Sequence, residues 1–169
     1  ARHRTLMAKE FQTERNHNVV LAYDTGRLMC EPIDGLSRLD HAVHAGMLLS
    51  YASLRGGDRV GIYGFDTRPK VMTGLVRGQS AFGRLQAEMG RLDYSTLDAN
   101  YTLGLTRLSS SLNRRSLIIL FTEFIDTIQA ELMLENAARL ARKHLLVFAV
   151  FEDTDLKRIA HQRPCDASD

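Results

Sequence analysis

Carboxylates and hydroxyls gather at a few points of this sequence. Asp24-Thr25-Gly26-Arg27, Asp66-Thr67-Arg68, Asp98-Ala99-Asn100, Thr122-Glu123-Phe124-Ile125-Asp126 and Glu152-Asp153-Thr154-Asp155 each sit at the border of an apolar run or a helical stretch. Oxygen donors drawn from separate loops are the chemistry of a divalent cation site or of an edge that receives a basic partner. Taken singly, each has a plainer reading, because Asp, Thr and Asn routinely cap helices at such loops.

Other chemistries find less support. There is no G-x-G-x-x-G after the first apolar run and no Walker lysine loop, and Gly56-Gly57 with Gly61 precedes a strand, so it reads as a turn. Gly78-Gln79-Ser80-Ala81-Phe82-Gly83 has the wrong spacing for a nucleophile elbow, and Ser80 is expected to cap a helix. His41 and His44 lie three apart without a third placed ligand and read as an ordinary helix face. His144 is expected to complement a helix C-terminus, and Glu123 with Asp126 to stabilise a helix start rather than form an acid/base pair. Cys30 and Cys165 have no metal-type spacing and read as free thiols of a reducing compartment. No catalytic constellation emerges, and the expectation is a protein that is not an enzyme.

The elements that must position these loops come from the apolar pattern. Val19–Tyr23, Leu117–Phe121 and Leu145–Phe151 are continuously apolar, as strands buried on both faces of a parallel sheet are. Val60–Phe65 is a further strand, and Lys70–Val76 is expected as an antiparallel edge strand. Between them the period becomes helical. Leu36, Leu39, Val43, Met47, Tyr51 and Leu54 form one stripe, opened by a Ser37/Asp40 capping pair and closed by Gly56-Gly57. Phe82, Leu85, Met89 and Leu92 mark a second helix, and Tyr101, Leu105, Leu108 and Leu112 a third. A fourth, capped by Asp126, is expected to face inward with Leu134, Ala137, Ala138 and Ala141. With right-handed crossovers this order gives an α/β domain with a doubly wound, mostly parallel sheet and one antiparallel edge strand.

The chain of 169 residues suits one domain: a flanking extended segment over 1–16, the α/β domain over 17–162 and a tail over 163–169. A net charge of +2, with basic residues scattered along the sequence, does not point to nucleic acid or a membrane surface. Arg114-Arg115 is the nearest approach to a basic patch, and it falls at an expected helix end. No run approaches a membrane span.

Several separated blocks carry a resemblance. Val19–Tyr23 running into Asp24-Thr25-Gly26-Arg27-Leu28-Met29 resembles the Asp-x-Ser-x-Ser loop of von Willebrand factor A domains. Leu36–Leu54, Gly57-Asp58-Arg59-Val60-Gly61 and Phe65-Asp66 are similar to their first helix and second strand. Closer still is a bacterial family of uncharacterised proteins encoded beside MoxR-type AAA+ ATPases. Its pattern resembles Leu6–Phe11, Asn100–Leu105, Arg114–Leu117 and Phe121–Phe124. The resemblance implies a protein-binding role beside such an ATPase, in maturing or remodelling other proteins. It also implies a parent anchored at the inner membrane with this segment in the cytoplasm, and a further C-terminal strand and helix beyond this chain.

The von Willebrand metal-ion-dependent adhesion site takes an Asp and two Ser from the first loop, a Thr from a second and an Asp from a third, around Mg²⁺. On this sequence those positions fall on Asp24, Gly26, Leu28, Ala99 and Glu123. Two carboxylates remain and three hydroxyls are gone, with Thr25, Ser95, Thr96, Thr102 and Thr122 close by in sequence. The resemblance therefore implies a degenerate site, and a partner-binding edge of Asp24, Thr25, Arg27, Asn100, Glu123 and Asp126. The alternative is a Mg²⁺-dependent ligand binder using Asp24 and Glu123 with substitute hydroxyls.

Overall fold

The computed structural model describes residues 16–123 and 127–151. The expected flanking segment, Asp126, the acidic stretch after Phe151 and the tail lie outside them.

The described residues open with strand β1 (Asn18–Asp24), buried along its whole length, and a short 3-10 turn (Arg27–Cys30). A small hairpin, β2 (Pro32–Ile33) and β3 (Leu36–Ser37), leads into helix α1 (Arg38–Gly56). Ser37 caps that helix by accepting from the Asp40 N–H, and Gly57 ends it at a left-handed φ of 93°, as the sequence leads one to expect. Next come β4 (Arg59–Phe65), β5 (Pro69–Met72) and β6 (Val76–Arg77), then α2 (Phe82–Met89) and α3 (Tyr101–Ser111). Strand β7 (Leu117–Phe121), helix α4 (Thr127–Ala141) and strand β8 (Leu145–Ala149) follow.

The sheet order is β5-β4-β1-β7-β8, with β6 also paired to β4. β4, β1, β7 and β8 are parallel, and β5 and β6 run antiparallel to β4 on one flank. One apolar layer joins Leu21, Tyr23 and Ile62 to Leu39 and Leu54 of α1 and Leu85 and Met89 of α2. The other joins Val20, Tyr63, Phe65 and Ile118 to Tyr101 and Leu105 of α3 and Met133 and Leu140 of α4. The mostly parallel, doubly wound reading of the sequence holds.

Local details depart from it. The expected single strand over 70–76 is interrupted after Met72, where Thr73 pairs with Ile62 through both backbone and hydroxyl before β6 resumes. The inner face of α4 is Met133, Asn136, Ala137 and Leu140, whereas Leu134, Ala138 and Ala141 point outward. Apolar residues lie on both phases of that helix, so the pattern alone assigned the wrong one. Ser80 lies in a 3-10 turn, and α2 starts after Ala81 with no side-chain cap. In α1 the face against the sheet is built on small residues, Ala42, Gly46 and Ser50, while Tyr51 turns aside onto Phe82. A Cβ at Gly46 would coincide with the Tyr23 hydroxyl, so the helix lies close against β1.

Candidate functional site

At the carboxyl ends of β1, β4 and β7 the connecting loops are stitched to one another. The Thr25 N–H reaches the Phe65 carbonyl at 2.8 Å, Arg27 N–H the Leu97 carbonyl at 2.9 Å, and Asn100 N–H the Asp66 carbonyl at 2.8 Å. The expected loops therefore do meet, at the place where an open α/β sheet presents its ligands.

Asp24 stands at the centre and is 2% exposed. Its Oδ1 accepts from Gly26 N–H at 2.7 Å. Its Oδ2 accepts from the Tyr101 hydroxyl at 2.8 Å and from Thr122 Oγ1 at 2.9 Å. That Tyr101 oxygen also lies 3.0 Å from Thr122 Oγ1 and 3.2 Å from the Glu123 carbonyl. Burial pushes the Asp24 carboxyl above the usual carboxylate range, against the pull of those three donors. The same burial, with the Asp24 charge beside it, raises the Tyr101 phenol, which stays protonated and donates.

A second charge sits beside this cluster. Arg38, in the first turn of α1, has a side chain only 9% exposed. Its Nη1 donates to Glu31 Oε2 at 2.7 Å and to the Leu28 carbonyl at 3.2 Å, and its Nε lies 3.6 Å from Glu123 Oε2. Asp66, also buried, is held by Lys70 Nζ at 2.6 Å. Burial alone would raise its pKa, but hydrogen bonds from Lys70, Ser95 and the Arg68 N–H together hold it below the ordinary value.

The expected edge residues fall into two groups. Arg27 and Asn100 are at the surface: Arg27 Nε pairs with Asp98 at 3.2 Å, and Asn100 caps α3 through Leu103 N–H at 2.9 Å. Asp24 and Thr25 lie beneath, the Thr25 hydroxyl donating to the Phe65 carbonyl at 3.2 Å. Glu123 is half-buried next to Arg38, and Asp126 is outside the described residues. Of the neighbouring hydroxyls, Thr122 turns toward Asp24, Ser95 toward Asp66 and Leu97 N–H, and Thr102 toward Asn136.

Sequence reasoning missed Tyr101 and Arg38. Tyr101 reads as one apolar position of a helical stripe. Arg38 did leave a signal, because a cation in the first turn of a helix opposes the helix dipole and needs acids nearby.

The hollow around Asp24, Gly26, Leu28, Ala99 and Tyr101 has a volume of about 10 Å³, room for one water at most. A Cβ at Gly26 would crowd Asp24 Oδ1 at 2.9 Å and Ala99 N at 3.0 Å, so a Ser cannot enter that position without the loop shifting. Among the described residues no group of three His, Cys, Asp or Glu is close enough to hold a metal ion. His41 instead bonds the Ile33 carbonyl and packs near Phe151, and His144 is buried before β8.

Among solved structures, the VWA domain of SpRpn10 is similar, with a TM-score of 0.54 and 14% identity over 88% of this chain and 96% of that one. An aerotolerance-related membrane protein from Bacteroides fragilis gives 0.54 and 15%, covering 80% of this chain and 66% of that one. The PilB minor pilin from Streptococcus sanguinis gives 0.53 and 18% over 68% of this chain, which spans only 31% of the pilin. A second pilus protein, the type V tip protein Mfa5 from Porphyromonas gingivalis, is matched over 19% of its length. No curated protein matches the sequence. Among the described residues no helix is long and apolar enough to cross a membrane. Residues 1–158 match the family described as protein of unknown function DUF58, so the chain belongs to that family, and its fold is that of a von Willebrand factor A domain.

Proposed function

We propose that the domain is a non-enzymatic protein-binding module whose carboxyl-end edge works without a metal ion. The observation that carries this reading is the state of Asp24. Both its oxygens already accept protein donors, and the positive charge next to Glu123 is the Arg38 guanidinium. A Mg²⁺ ion needs a near-octahedral shell of free oxygen donors, and these residues do not fit it. The surface left to a partner is Arg27, Asp98 and Asn100, with Glu123 next to Arg38, while Asp24, Thr25 and Tyr101 hold the loops from below. We assign the partner as a MoxR-type AAA+ ATPase on the strength of the sequence resemblance.

Two measurements test this. Thermal melting is compared in Mg²⁺ and in EDTA; a bound ion at a hundred times its Kd would add about 2.7 kcal/mol, and no shift is expected. A Mg²⁺-dependent rise abolished by Asp24→Ala would overturn the metal-free reading and establish a variant adhesion site. Capture of the cognate ATPase by the full chain is then compared with the variants Arg27→Glu and Asn100→Lys. Capture is expected to fail in both; an ATPase that never binds the parent protein removes the partner assignment.

A further inference from the structure

The opposite end of the sheet carries a different charge pattern. The helix-to-strand connections all return to the amino ends of the parallel strands. They bring Arg55, Arg59, Arg114, Arg115, Arg142 and Lys143 to one end, although these lie far apart in sequence. Arg77 of β6 joins them. Scattered along the sequence, these basic residues gather at one end of the fold. Asp58 is the single acid among the described residues of these connections, and its Oδ1 accepts the His17 N–H at 3.0 Å. None of the basal cations has an ion pair among the described residues.

Helix dipoles account for part of this, since Arg55, Arg142 and Lys143 lie at helix C-termini. They do not account for Arg59 and Arg77, which stand directly opposite each other in the antiparallel β4–β6 pair. Like charges in that position repel, so stability alone disfavours them. Asn18 is the register partner of Arg59 on the other side, and Ser116 lies just before the first β1–β7 pair. Arg77, Arg59, Asn18 and Ser116 thus form one polar rung across four strands. Asn18 is 6% exposed, and its Oδ1 has no hydrogen-bond partner.

A hollow of about 510 Å³ lies against this rung, walled by Met72, Leu75 and Leu112 with Arg114 also lining it. A second, of about 580 Å³, shares Asn18 and Ser116 with the first and adds Arg115 and Leu145. The first hollow opens to solvent along the rung and forms a basal trough, with the second adjoining it at Asn18 and Ser116. We propose that this basal trough binds an extended acidic peptide segment of another protein. Its carboxylates would meet Arg59 and Arg114, with Arg77 beside Arg59 adding to the positive field, and its apolar side chains would meet Met72, Leu75 and Leu112. Guanidiniums pair with carboxylates in charge-assisted hydrogen bonds. A flat bilayer does not enter a trough, and nucleic acid offers no aliphatic side chains for its apolar walls.

The test uses the full chain and a fluorescein-labelled ten-residue peptide of mixed Glu and Leu, read by anisotropy against a control with Gln for Glu. Saturable binding of the Glu peptide alone is expected. Arg59→Gln with Arg114→Gln should weaken it roughly tenfold or more without lowering the melting temperature, as expected for lost charged hydrogen bonds. Arg59→Lys with Arg114→Lys should recover part of it, and Arg91→Gln, at an exposed arginine near the end of α2 that lines neither hollow, should have no effect. Arg77→Glu gives a second reading of the same loss if the double variant does not fold. The proposal is overturned if the Glu peptide does not bind or binds regardless of these arginines. Arginine-dependent binding only to phosphatidylglycerol vesicles or to duplex DNA would also overturn it.

Discussion

The two ends of this sheet handle charge in opposite ways. At the carboxyl end the acids are drawn inward: Asp24 accepts three hydrogen bonds, Asp66 is held by Lys70, and Glu123 lies beside Arg38. At the amino end the cations face outward, and Asp58 is the single acid beside them among the described residues. A group held by several hydrogen bonds is built into the fold, whereas a cation without an ion pair among the described residues is available to something else. Residue type alone does not separate the two cases; the hydrogen bonds around each group do.

The comparison predicts different costs of mutation at the two ends. Asp24→Ala leaves the Tyr101 and Thr122 hydroxyls and the Gly26 N–H without their acceptor, and a loss of about 3 kcal/mol is expected in urea unfolding. A loss below about 0.5 kcal/mol, typical of an exposed surface site, would mean that the cluster does not support the fold. Tyr101→Phe removes a single hydroxyl from the same cluster and should cost about 1–3 kcal/mol, with Thr122 keeping its bond to Asp24. At the other end, Arg77→Glu turns a repelling cross-strand pair into an attracting one. It should raise stability by about 0.2–1 kcal/mol, and a decrease would show that Arg77 has an acidic partner in solution.

The same contrast has a pH signature. Asp24 has a higher pKa folded than unfolded, chiefly through burial, so the folded chain holds that proton more tightly. The resulting stability is fully present below the unfolded value of 3.8 and is lost as pH rises through the raised folded value. Asp24→Asn does not ionise and escapes this loss. Its melting temperature relative to the parent is therefore expected to climb as the pH is raised above about 4. A difference that stays flat across that range would show that Asp24 titrates normally.

Much of this was legible in the sequence. Apolar runs such as Val19–Tyr23 and Leu117–Phe121 marked central strands because burial on both faces leaves no alternation. The loops carrying Asp24, Asp66 and Asn100 followed from their place at strand ends. What was not legible depends on distance in three dimensions. A helical stripe says that Tyr101 is inward, not that its hydroxyl reaches a carboxylate from the first strand. The basal cations escaped notice because each, on its own connection, is an ordinary helix-end or strand-end residue. Only the parallel topology places them side by side.

One feature of the carboxyl end bears on how such an edge can be regulated. Arg38 is tied to the backbone of α1, so its charge has no dissociation constant. Chelators do not strip it, and swings in ion concentration do not dilute it. An edge organised around a tethered cation is ready as soon as the chain has folded. Separating that charge from Glu31 and Glu123 takes a movement of α1 or of its side chain, not the loss of an ion.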